Sequence, residues 1–368
     1  MIIERISILN FKNIEQADLE FSPKMNCLFG NNGMGKTNLL DALYYLSFCK
    51  NYTNLPDSQL IKHDQDFAVL QAGYLFEDKS EDIYCGIKRK QRKTFKRNKK
   101  EYERLSEHIG LLPLVMICPA DSDLIRGGSD ERRKFTDIVI SQYDKEYLHA
   151  LIQYNKVLQQ RNSLLKEYDN PVDPSLFDIW EEQLDFFGEQ IFRKRGKFVQ
   201  DFRPIFREFH QNICQESETV DLEYESQLNG AKLKDLLQQK RERDRLIGFT
   251  TAGIHKDDFN FTIGGYLMRK TGSQGQNKTY LIALKLAQFN FLVKAGVSTP
   301  ILLLDDVFDK LDEKRVEQIV KLVAQPQFGQ IFITDTNRKY LDKILQKMDH
   351  DYKLFHVENG EFKEMNIT

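Results

Sequence analysis

The chain has 368 residues and a nearly balanced charge, with 53 lysines and arginines against 55 aspartates and glutamates. This length exceeds one ordinary domain of ~150 residues, and a hydrophobic fraction of 41% is enough for a sizeable core. The charge balance excludes a uniformly basic nucleic-acid binder and a strongly acidic disordered chain. Any basic surface must therefore be local.

The beginning of the chain does not have the character of a targeting segment, because Glu4 and Arg5 interrupt it where a signal peptide is apolar. The longest apolar stretch, 111–118, contains Pro113 and is far shorter than the ~20 residues that span a bilayer. We expect a cytoplasmic protein without a membrane partner.

The cysteines and histidines give no metal motif. The five cysteines are widely spaced and include no CxxC pair, which favours small buried thiols over a zinc site or a disulfide framework. The seven histidines show no recognised ligand spacing. A magnesium ion bound with a nucleotide is the only metal that the sequence leads us to expect.

The predicted elements begin with two extended runs, at 2–9 and 25–29, separated by a polar connection containing Pro23. Helical spacing of apolar residues then predicts a helix over about 38–48. Strands return over 67–97, with a turn at 77–80.

The middle of the chain, from about 130 to 215, contains almost no glycine, and its apolar residues recur at helical spacing. This predicts a helical insertion, broken at Pro171 and Pro174 and kinked at Pro204. Strands return after about residue 220, so the core is built from distant parts of the chain.

The last third of the chain is predicted to alternate helix and strand. A helix over 277–295 is ended by Gly296. The apolar segments 301–307 and 330–336 predict buried strands of parallel type, with a helix over 315–323 between them.

A complete GxxxxGK[ST] motif lies between a predicted strand and a predicted helix. Its glycines let backbone N–H groups converge on phosphate oxygens, and the helix N-terminus adds partial positive charge. A plain glycine turn is the alternative, which the strand–loop–helix context disfavours. We expect Lys36 to reach the β- and γ-phosphates of ATP and the Thr37 hydroxyl to ligate Mg²⁺. The predicted ATP-binding residues are Gly30, Asn31, Asn32, Gly33, Met34, Gly35, Lys36 and Thr37.

A second motif ends the strand over 301–304, where four apolar residues are followed by Asp305 and Asp306. A carboxylate at the C-terminal end of a buried parallel strand lies where ligands of open α/β sheets bind. We expect Asp305 to belong to the magnesium site and Asp306 to be the general base or water-orienting group. The alternative for Asp306 is that it caps the next segment.

A third motif, Ser273-Gln274-Gly275-Gln276, precedes the helix over 277–295. Alone it is weak, because a serine that only caps a helix needs no ligand. Its place one helix before the second motif is that of the signature motif of ATP-binding-cassette proteins. We therefore expect Ser273, Gly275 and Gln276 to bind ATP, with Ser273 on the γ-phosphate.

The combination of these three motifs resembles the RecF family of bacterial recombination mediators, in the ABC/SMC/Rad50 group of ATPases. The resemblance is carried by LNFKN, GNNGMGKTNLL, SQGQNKTYLIALKLAQ and LLLDDVFDKLD. It extends to CPADSDLIRGGSDERRKF, YNKVLQQRNSLLK and TTAGIHKDDFNF, and so covers the whole chain.

The resemblance implies an α/β fold: an ABC-type P-loop ATPase head, with a mixed or parallel sheet and helices, and an inserted helical arm domain. The segment between Lys36 and Ser273 is too short for a long coiled coil. The expected division is 1–115 for the first part of the head, 116–218 for the arm and 219–368 for the second part of the head.

The resemblance also implies a composite site in an ATP-dependent head-to-tail homodimer. Ser273 and Gly275 of one protomer would cover ATP held by the P-loop of the other, and 309–312 matches the dimer-facing D-loop. Two departures stand out. Asp306 replaces the glutamate of general ABC proteins, which suggests slow turnover, and Asp335 occupies the usual switch-histidine position. No glutamine matches a Q-loop.

A basic segment supplies the local surface that the overall charge requires. Ten lysines and arginines lie between residues 88 and 104 against two glutamates, a net charge of +8 over 17 residues. A basic strand pair around a turn near Asn98 suits phosphate contact with DNA, and a solvated charged hairpin is the alternative. The predicted DNA-binding residues are Lys88, Arg89, Lys90, Arg92, Lys93, Lys96, Arg97, Lys99 and Lys100.

Smaller basic groups lie elsewhere, and each alone is typical of a solvated helix face. They are Arg126, Arg132, Arg133 and Lys134, and on the arm Arg193, Lys194, Arg195 and Lys197. For His255 a structural role is favoured over a place beside the nucleotide.

The sequence therefore leads to the hypothesis of an ATP-dependent DNA-binding protein, with weak DNA-stimulated ATP hydrolysis, acting on gapped or single-strand/double-strand junction DNA. The resemblance implies partners of the RecR and RecO mediator type and a RecA-type recombinase, and roles in DNA repair, replication and the SOS response. The alternatives are an SMC- or Rad50-like head, a transporter nucleotide-binding subunit and an ATP-gated scaffold.

Overall fold

The computed structural model of the chain describes residues 1–76, 79–166, 174–214, 218–308, 311–336 and 352–365. The chain divides into two compact units: unit 1 is Met1–Asp121 with Gln288–Thr368, and unit 2 is Ser122–Ala287. The first boundary lies near the predicted one at 116. The second differs from the predicted boundary at 219, because a small sheet, two further helices and the first part of a third helix follow the long helices and belong to unit 2.

The described strands are β1 (Ile2–Phe11), β2 (Ile14–Glu20), β3 (Met25–Phe29), β4 (Phe67–Phe76), β5 (Lys79–Lys88), β6 (Thr94–Arg97), β7 (Lys100–Glu101), β8 (Leu114–Ile117), β9 (Val220–Glu225), β10 (Asp258–Ile263), β11 (Tyr266–Leu267), β12 (Ile301–Asp305), β13 (Ile331–Asp335), β14 (Tyr352–Glu358) and β15 (Glu361–Glu364). The described helices are α1 (Lys36–Phe48), α2 (Ser122–Arg126), α3 (Ser129–Tyr143), α4 (Lys145–Leu165), α5 (Pro174–Cys214), α6 (Leu233–Ile247), α7 (Met268–Thr271), α8 (Gln274–Lys294) and α9 (Glu313–Val323).

The central sheet of unit 1 has the order β15-β14-β3-β13-β12-β8, and every neighbouring pair except β14–β15 is parallel. Both predicted apolar strands, β12 and β13, are buried along their whole length, as expected for strands covered on both faces. Because the strands are parallel, the carboxyl ends of β3, β13 and β12 meet at one edge.

A second, antiparallel sheet in unit 1 has the order β2-β1-β4-β5-β6-β7. Part of the predicted polar connection after β1 is the strand β2, whose Ile14, Ala17 and Leu19 face inward. The prediction was wrong here because charged residues occupy the exposed alternate positions. Of the predicted turn at 77–80, Lys79 and Ser80 already belong to β5, whereas 77 and 78 lie outside the described residues.

Helix α1 packs against strands of both sheets and is therefore buried on nearly every side. It begins directly after Gly35 and ends at Cys49, which has a left-handed φ of 54°. The predicted helix is confirmed and starts two residues earlier than expected, so Lys36 and Thr37 belong to its first turn.

Unit 2 contains the predicted helical insertion, in which α4 and α5 pack together and α5 also contacts α6 and β9. Pro174 begins α5 and Pro204 lies inside it without ending it, while Pro171 lies outside the described residues. The sheet of this unit has the order β11-β10-β9. Helix α6 was not predicted, because its face toward the core has few apolar residues, among them Leu233 and Leu237.

Two buried arginines hold the helices of unit 2 together. Arg161 binds Glu181 and Asp244, and all three side chains are fully buried. Arg195 binds Asp137 and Asp257 in a second network. Removing one partner of such a buried pair leaves an uncompensated charge, at a cost of about 3–5 kcal/mol.

Within the part of the chain that the structure describes, no helix is both long enough and apolar enough to cross a membrane.

Candidate functional site

The P-loop lies between β3 and α1 and depends on three glycines with positive φ: 155° at Gly30, 80° at Gly33 and 119° at Gly35. A Cβ at Gly30 would come within 2.3 Å of the Val357 carbonyl oxygen, so this position admits no side chain. Glycine adopts these conformations at little steric cost, and α1 begins directly after the loop, where a helix N-terminus offers unpaired backbone N–H groups to an anion.

The side chain of Lys36 folds back over this loop. Its Nζ donates hydrogen bonds to the carbonyl oxygens of Gly30, at 2.7 Å, and Asn31, at 3.0 Å. The residue is only 4% exposed. The ammonium is thus held at the loop, as expected for a group that contacts phosphates there.

Two supports of the loop were missed at the sequence level. Asn13 donates to the Gly33 carbonyl oxygen at 3.4 Å and accepts from Asn38 Nδ2 at 2.7 Å. The Gly360 N–H, in the turn between β14 and β15, donates to the Met34 carbonyl oxygen at 2.7 Å. The only available signal was the LNFKN segment, which contains Asn13.

The two expected magnesium ligands are neighbours. The Thr37 Oγ1 donates to the Asp305 carboxylate, at 3.0 Å from Oδ1 and 2.9 Å from Oδ2. Thr334, which was not predicted, also donates to Asp305 Oδ1, at 2.7 Å. Hydroxyl and carboxylate oxygens are the hard donors that Mg²⁺ takes, so these residues fit that ion.

Burial raises the pKa of Asp305, the nearby negative charge of Asp306 adds to the rise, and the hydrogen bonds from Thr334 and Thr37 oppose it. The residue is 3% exposed. A cation that binds beside a carboxyl group in this environment stabilises the ionised form and so opposes the rise in pKa.

Asp306 follows directly and has a left-handed backbone, with φ 46°. Its N–H donates to Thr334 Oγ1 at 3.1 Å, so one threonine positions both aspartates. The next described helix, α9, is capped by Asp312, whose side chain accepts from the Arg315 N–H. Asp306 is therefore not the cap of α9.

Asp335 ends β13, the strand between β3 and β12, and is 7% exposed. The predicted switch position is thus at the same sheet edge as the P-loop and Asp305. Of the segment matched to the D-loop, Asp309 and Lys310 lie outside the described residues.

The third motif lies in unit 2, where Ser273 and Gln276 form a reciprocal cap of α8. The Gln276 N–H donates to Ser273 Oγ at 3.2 Å, and the Ser273 N–H donates to Gln276 Oε1 at 2.9 Å. Gln276 Nε2 also donates to Glu218 at 2.7 Å. Ser273 is exposed, and Gly275 follows it in the first turn.

The basic segment forms the loop after β5 and the hairpin of β6 and β7. Asn98 and Lys99, with φ of 50° and 69°, make its two-residue turn, as predicted near Asn98. Six of the nine predicted DNA-binding residues are exposed, in two groups at opposite ends of β6. These are Lys88, Arg89, Lys90 and Arg92 at one end, and Lys99 and Lys100 at the other.

The remaining three predicted cations are engaged within the protein. Lys93 Nζ turns inward, donates to the Cys49 carbonyl oxygen and pairs with Asp57 at 3.1 Å. Arg97 makes a two-fold hydrogen bond with Glu81, whose pKa it lowers. Lys96 lies over the ring of Tyr84.

The smaller basic groups of unit 2 are largely paired with acidic groups. Arg132 is buried against Asp258, and Arg195 lies in the buried network described above, so neither belongs to a solvated face as expected. Arg193, Lys194 and Lys197 pair with neighbouring carboxylates on or beside α5.

His255 makes hydrogen bonds within unit 2, which agree with the structural role that the sequence favoured. Its Nε2 lies 3.1 Å from the Thr250 carbonyl oxygen, so Nε2 carries the proton. Its Nδ1 then accepts from the Tyr154 hydroxyl at 2.8 Å. Burial lowers the pKa of His255 to about 4, which favours this neutral form.

Comparison with known proteins identifies the family of the chain. The model of the RecF/RecN/SMC N terminal domain matches residues 2–363. The DNA replication and repair protein RecF of Parabacteroides distasonis is 64% identical, over 99% of this chain and 100% of that protein. The protein of the same name from Bacteroides thetaiotaomicron is 61% identical, over 99% of each.

Solved structures give the same result. A structure of the recombination mediator protein RecF-ATP in the RecFOR pathway has a TM-score of 0.89 at 30% identity, covering 99% of this chain and 98% of that chain. The Smc head domain of Pyrococcus furiosus has a TM-score of 0.59 at 16% identity, covering 100% and 96%, and shows only the shared fold.

The predicted α/β ATPase-head fold is confirmed, and the full-length matches favour a RecF protein over an SMC- or Rad50-like head and over a transporter subunit: the chain belongs to the RecF family.

Proposed function

We propose that this chain is an ATP-dependent, DNA-binding recombination mediator of the RecF type. The observation that carries the proposal is the meeting of Lys36, Thr37 and Asp305 at one edge of the central sheet. A phosphate-binding loop beside two oxygen ligands suited to Mg²⁺ is the arrangement that binds a nucleoside triphosphate with its metal ion. Sequence identity of 64% and 61% to RecF proteins, over 99% of the chain, supports a role of this site in recombination.

The nucleotide chemistry follows from the same residues. Lys36 and the loop N–H groups hold phosphates, while Thr37 and Asp305 hold Mg²⁺, which supplies charge stabilisation of the phosphoryl group. Asp306 orients or deprotonates the attacking water. Its side chain is one methylene shorter than that of glutamate, which supports slow hydrolysis.

The site is completed in trans by the start of α8. Ser273, Gly275 and Gln276 of a second copy cover the γ-phosphate in a head-to-tail dimer. The exposed Ser273 hydroxyl at a helix N-terminus supports this role, because such a terminus attracts anions. ATP and DNA then each favour the closed dimer, and hydrolysis releases it.

The DNA contact is the basic segment 88–104, which forms the loop after β5 and the β6–β7 hairpin. Its six exposed cations, in two groups separated by the length of β6, suit phosphates rather than bases. Binding of this kind is independent of sequence and sensitive to salt, and DNA is expected to stimulate hydrolysis by stabilising the dimer. Gapped or junction DNA is the proposed substrate, with RecR- and RecO-type mediators and a RecA-type recombinase as partners.

Binding of gapped and fully paired duplexes, each with ATP·Mg²⁺ or ADP·Mg²⁺, tests the proposal. We expect the tightest binding for gapped DNA with ATP. Equal affinity in all four mixtures would overturn the proposed function.

A further inference from the structure

Three metal-ligating side chains meet where α5 ends. His210 and Cys214 are four residues apart and therefore lie on one face of the helix, and Glu218 follows shortly after. The imidazole nitrogen, the sulfur and a carboxylate oxygen of these residues all lie within 4.8 Å of one another. The nucleotide site and the basic hairpin use none of the three.

The spacing of the first two donor atoms matches one edge of a zinc tetrahedron. His210 Nε2 lies 3.6 Å from Cys214 Sγ. Bonds of about 2.0–2.1 Å to nitrogen and about 2.3 Å to sulfur, at the tetrahedral angle, place those atoms roughly 3.6 Å apart. His210 is 1% exposed and Cys214 9% exposed, so the pair is shielded from bulk water.

The carboxylate provides a second, independent observation. Glu218 Oε1 accepts from Gln276 Nε2 at 2.7 Å. Its Oε2 is buried and has no hydrogen-bond partner among the described residues. A buried acceptor without a partner is rare in native proteins and calls for an ion or a donor at that position.

We propose that His210, Cys214 and Glu218 bind a zinc ion. The donors are Nε2, the thiolate sulfur and Oε2, and water takes the fourth position. A site with nitrogen and thiolate donors selects zinc over magnesium and calcium, which prefer oxygen. Binding forms the sulfur–zinc bond as the thiol proton is released to solvent, so affinity rises with pH.

The site is connected to the signature motif through hydrogen bonds. Glu218 binds Gln276, and Gln276 forms the reciprocal cap with Ser273. Zinc thus fixes the carboxylate that holds the first turn of α8 in place. This consequence for Ser273 rests on the proposed function, whereas the binding of zinc does not.

Zinc titration of the full-length protein without nucleotide or DNA tests the site. The protein is first freed of metal with a chelator, and zinc content is then measured by mass spectrometry. We expect one zinc per chain, and with cobalt in its place a sulfur-to-cobalt charge-transfer band. Cys214→Ser should abolish that band and weaken zinc binding more than about 100-fold, beyond the loss typical of outer partners.

Two further variants keep the test decisive. Glu218→Gln preserves the size of the side chain and should weaken zinc binding at least about 10-fold. This variant tests the site if Cys214→Ser fails to fold. Cys85→Ser removes another buried thiol, in β5, and should leave zinc binding unchanged. The proposal is overturned if wild type does not bind stoichiometric zinc, or if zinc affinity is unaltered in both Cys214→Ser and Glu218→Gln. Measurements of ATP and DNA binding test the proposed function separately.

Discussion

The hydroxyl of Thr37 lies within 3.0 Å of both carboxylate oxygens of Asp305, although 268 positions separate the two residues in the chain. The central sheet brings them together, because β3 and β12 flank β13 and all three run parallel. A magnesium ion held by both residues would take the place of this hydrogen bond. The oxygen pair of the ion site is therefore created by the fold.

Asp306→Asn tests the assignment of the base. Asparagine tolerates the left-handed backbone at this position but cannot take a proton. We expect ATP binding to persist and the hydrolysis rate to fall about 10²–10⁴-fold, measured as phosphate release. Asp64→Asn is the matched control, since Asp64 is exposed and also has a left-handed φ, of 63°. Unchanged hydrolysis in Asp306→Asn would show that another group activates water.

Ser273→Arg tests completion of the site in trans. The arginine removes the cap of α8 and places a bulky side chain where the partner protomer is proposed to bind. We expect loss of ATP-driven dimerisation in sedimentation experiments. Ser273→Ala is the control for the lost cap alone, which costs about 0.5–2 kcal/mol of stability. Thr271→Arg is the control for the added charge, because it places an arginine two residues away. A Ser273→Arg protein that dimerises like wild type contradicts the composite site.

Exposed and inward-facing lysines of the basic segment are expected to affect DNA binding differently. Lys99→Ala with Lys100→Ala should weaken binding to all DNA sequences and lower the salt slope by about 0.9 for each duplex phosphate that the variant no longer neutralises. Lys93→Met removes one positive charge, against two in the double variant, from a partly buried site, so it should reduce stability and leave the salt slope unchanged. Titrations of DNA at several salt concentrations distinguish the two. An unaltered slope in the double variant would remove this hairpin from the DNA interface.

His255 predicts a pH dependence of the stability of unit 2. Its pKa is about 4 in the folded protein, against 6.5 for an ordinary histidine. The unfolded chain therefore binds a proton that the folded chain does not, and stability falls as pH drops from about 6.5 to about 4. Between pH 7 and pH 5 this group accounts for about 2 kcal/mol.

Urea unfolding of wild type and His255→Gln at both pH values measures this effect. Trp180, the one tryptophan of the chain, lies in α5 and reports on unit 2 by fluorescence. The pH dependence should be smaller in His255→Gln, whereas His63→Gln, at an exposed histidine, should retain it. Equal pH dependence in all three proteins would contradict the lowered pKa.

The parts that sequence predicted well are those whose chemistry is local. The P-loop glycines, Lys36 and the strand ending at Asp305 are contiguous motifs, and the parallel strands are recognisable because burial on both faces makes them continuously apolar. Helix α1 was predicted for the same reason, from spacing within a single segment.

The parts that sequence missed depend on long-range partners. Thr334 positions both aspartates, but a threonine at the end of a strand carries no local signal of that role. Arg195 and Lys93 belong to charged stretches whose exposure cannot be judged until their carboxylate partners are in place. The proposed zinc ligands likewise belong to no known motif, and Glu218 is recognised only in the structure, by a buried oxygen that has no partner among the described residues.

We propose that ATP closes a dimer of this chain around DNA. Sedimentation of wild type and Lys36→Met, with gapped DNA and with or without ATP·Mg²⁺, tests it most directly. We predict that ATP·Mg²⁺ converts wild type from monomer to a DNA-bound dimer and leaves Lys36→Met a monomer. An absence of any ATP-dependent change in wild type, or an equal response in Lys36→Met, would contradict the account.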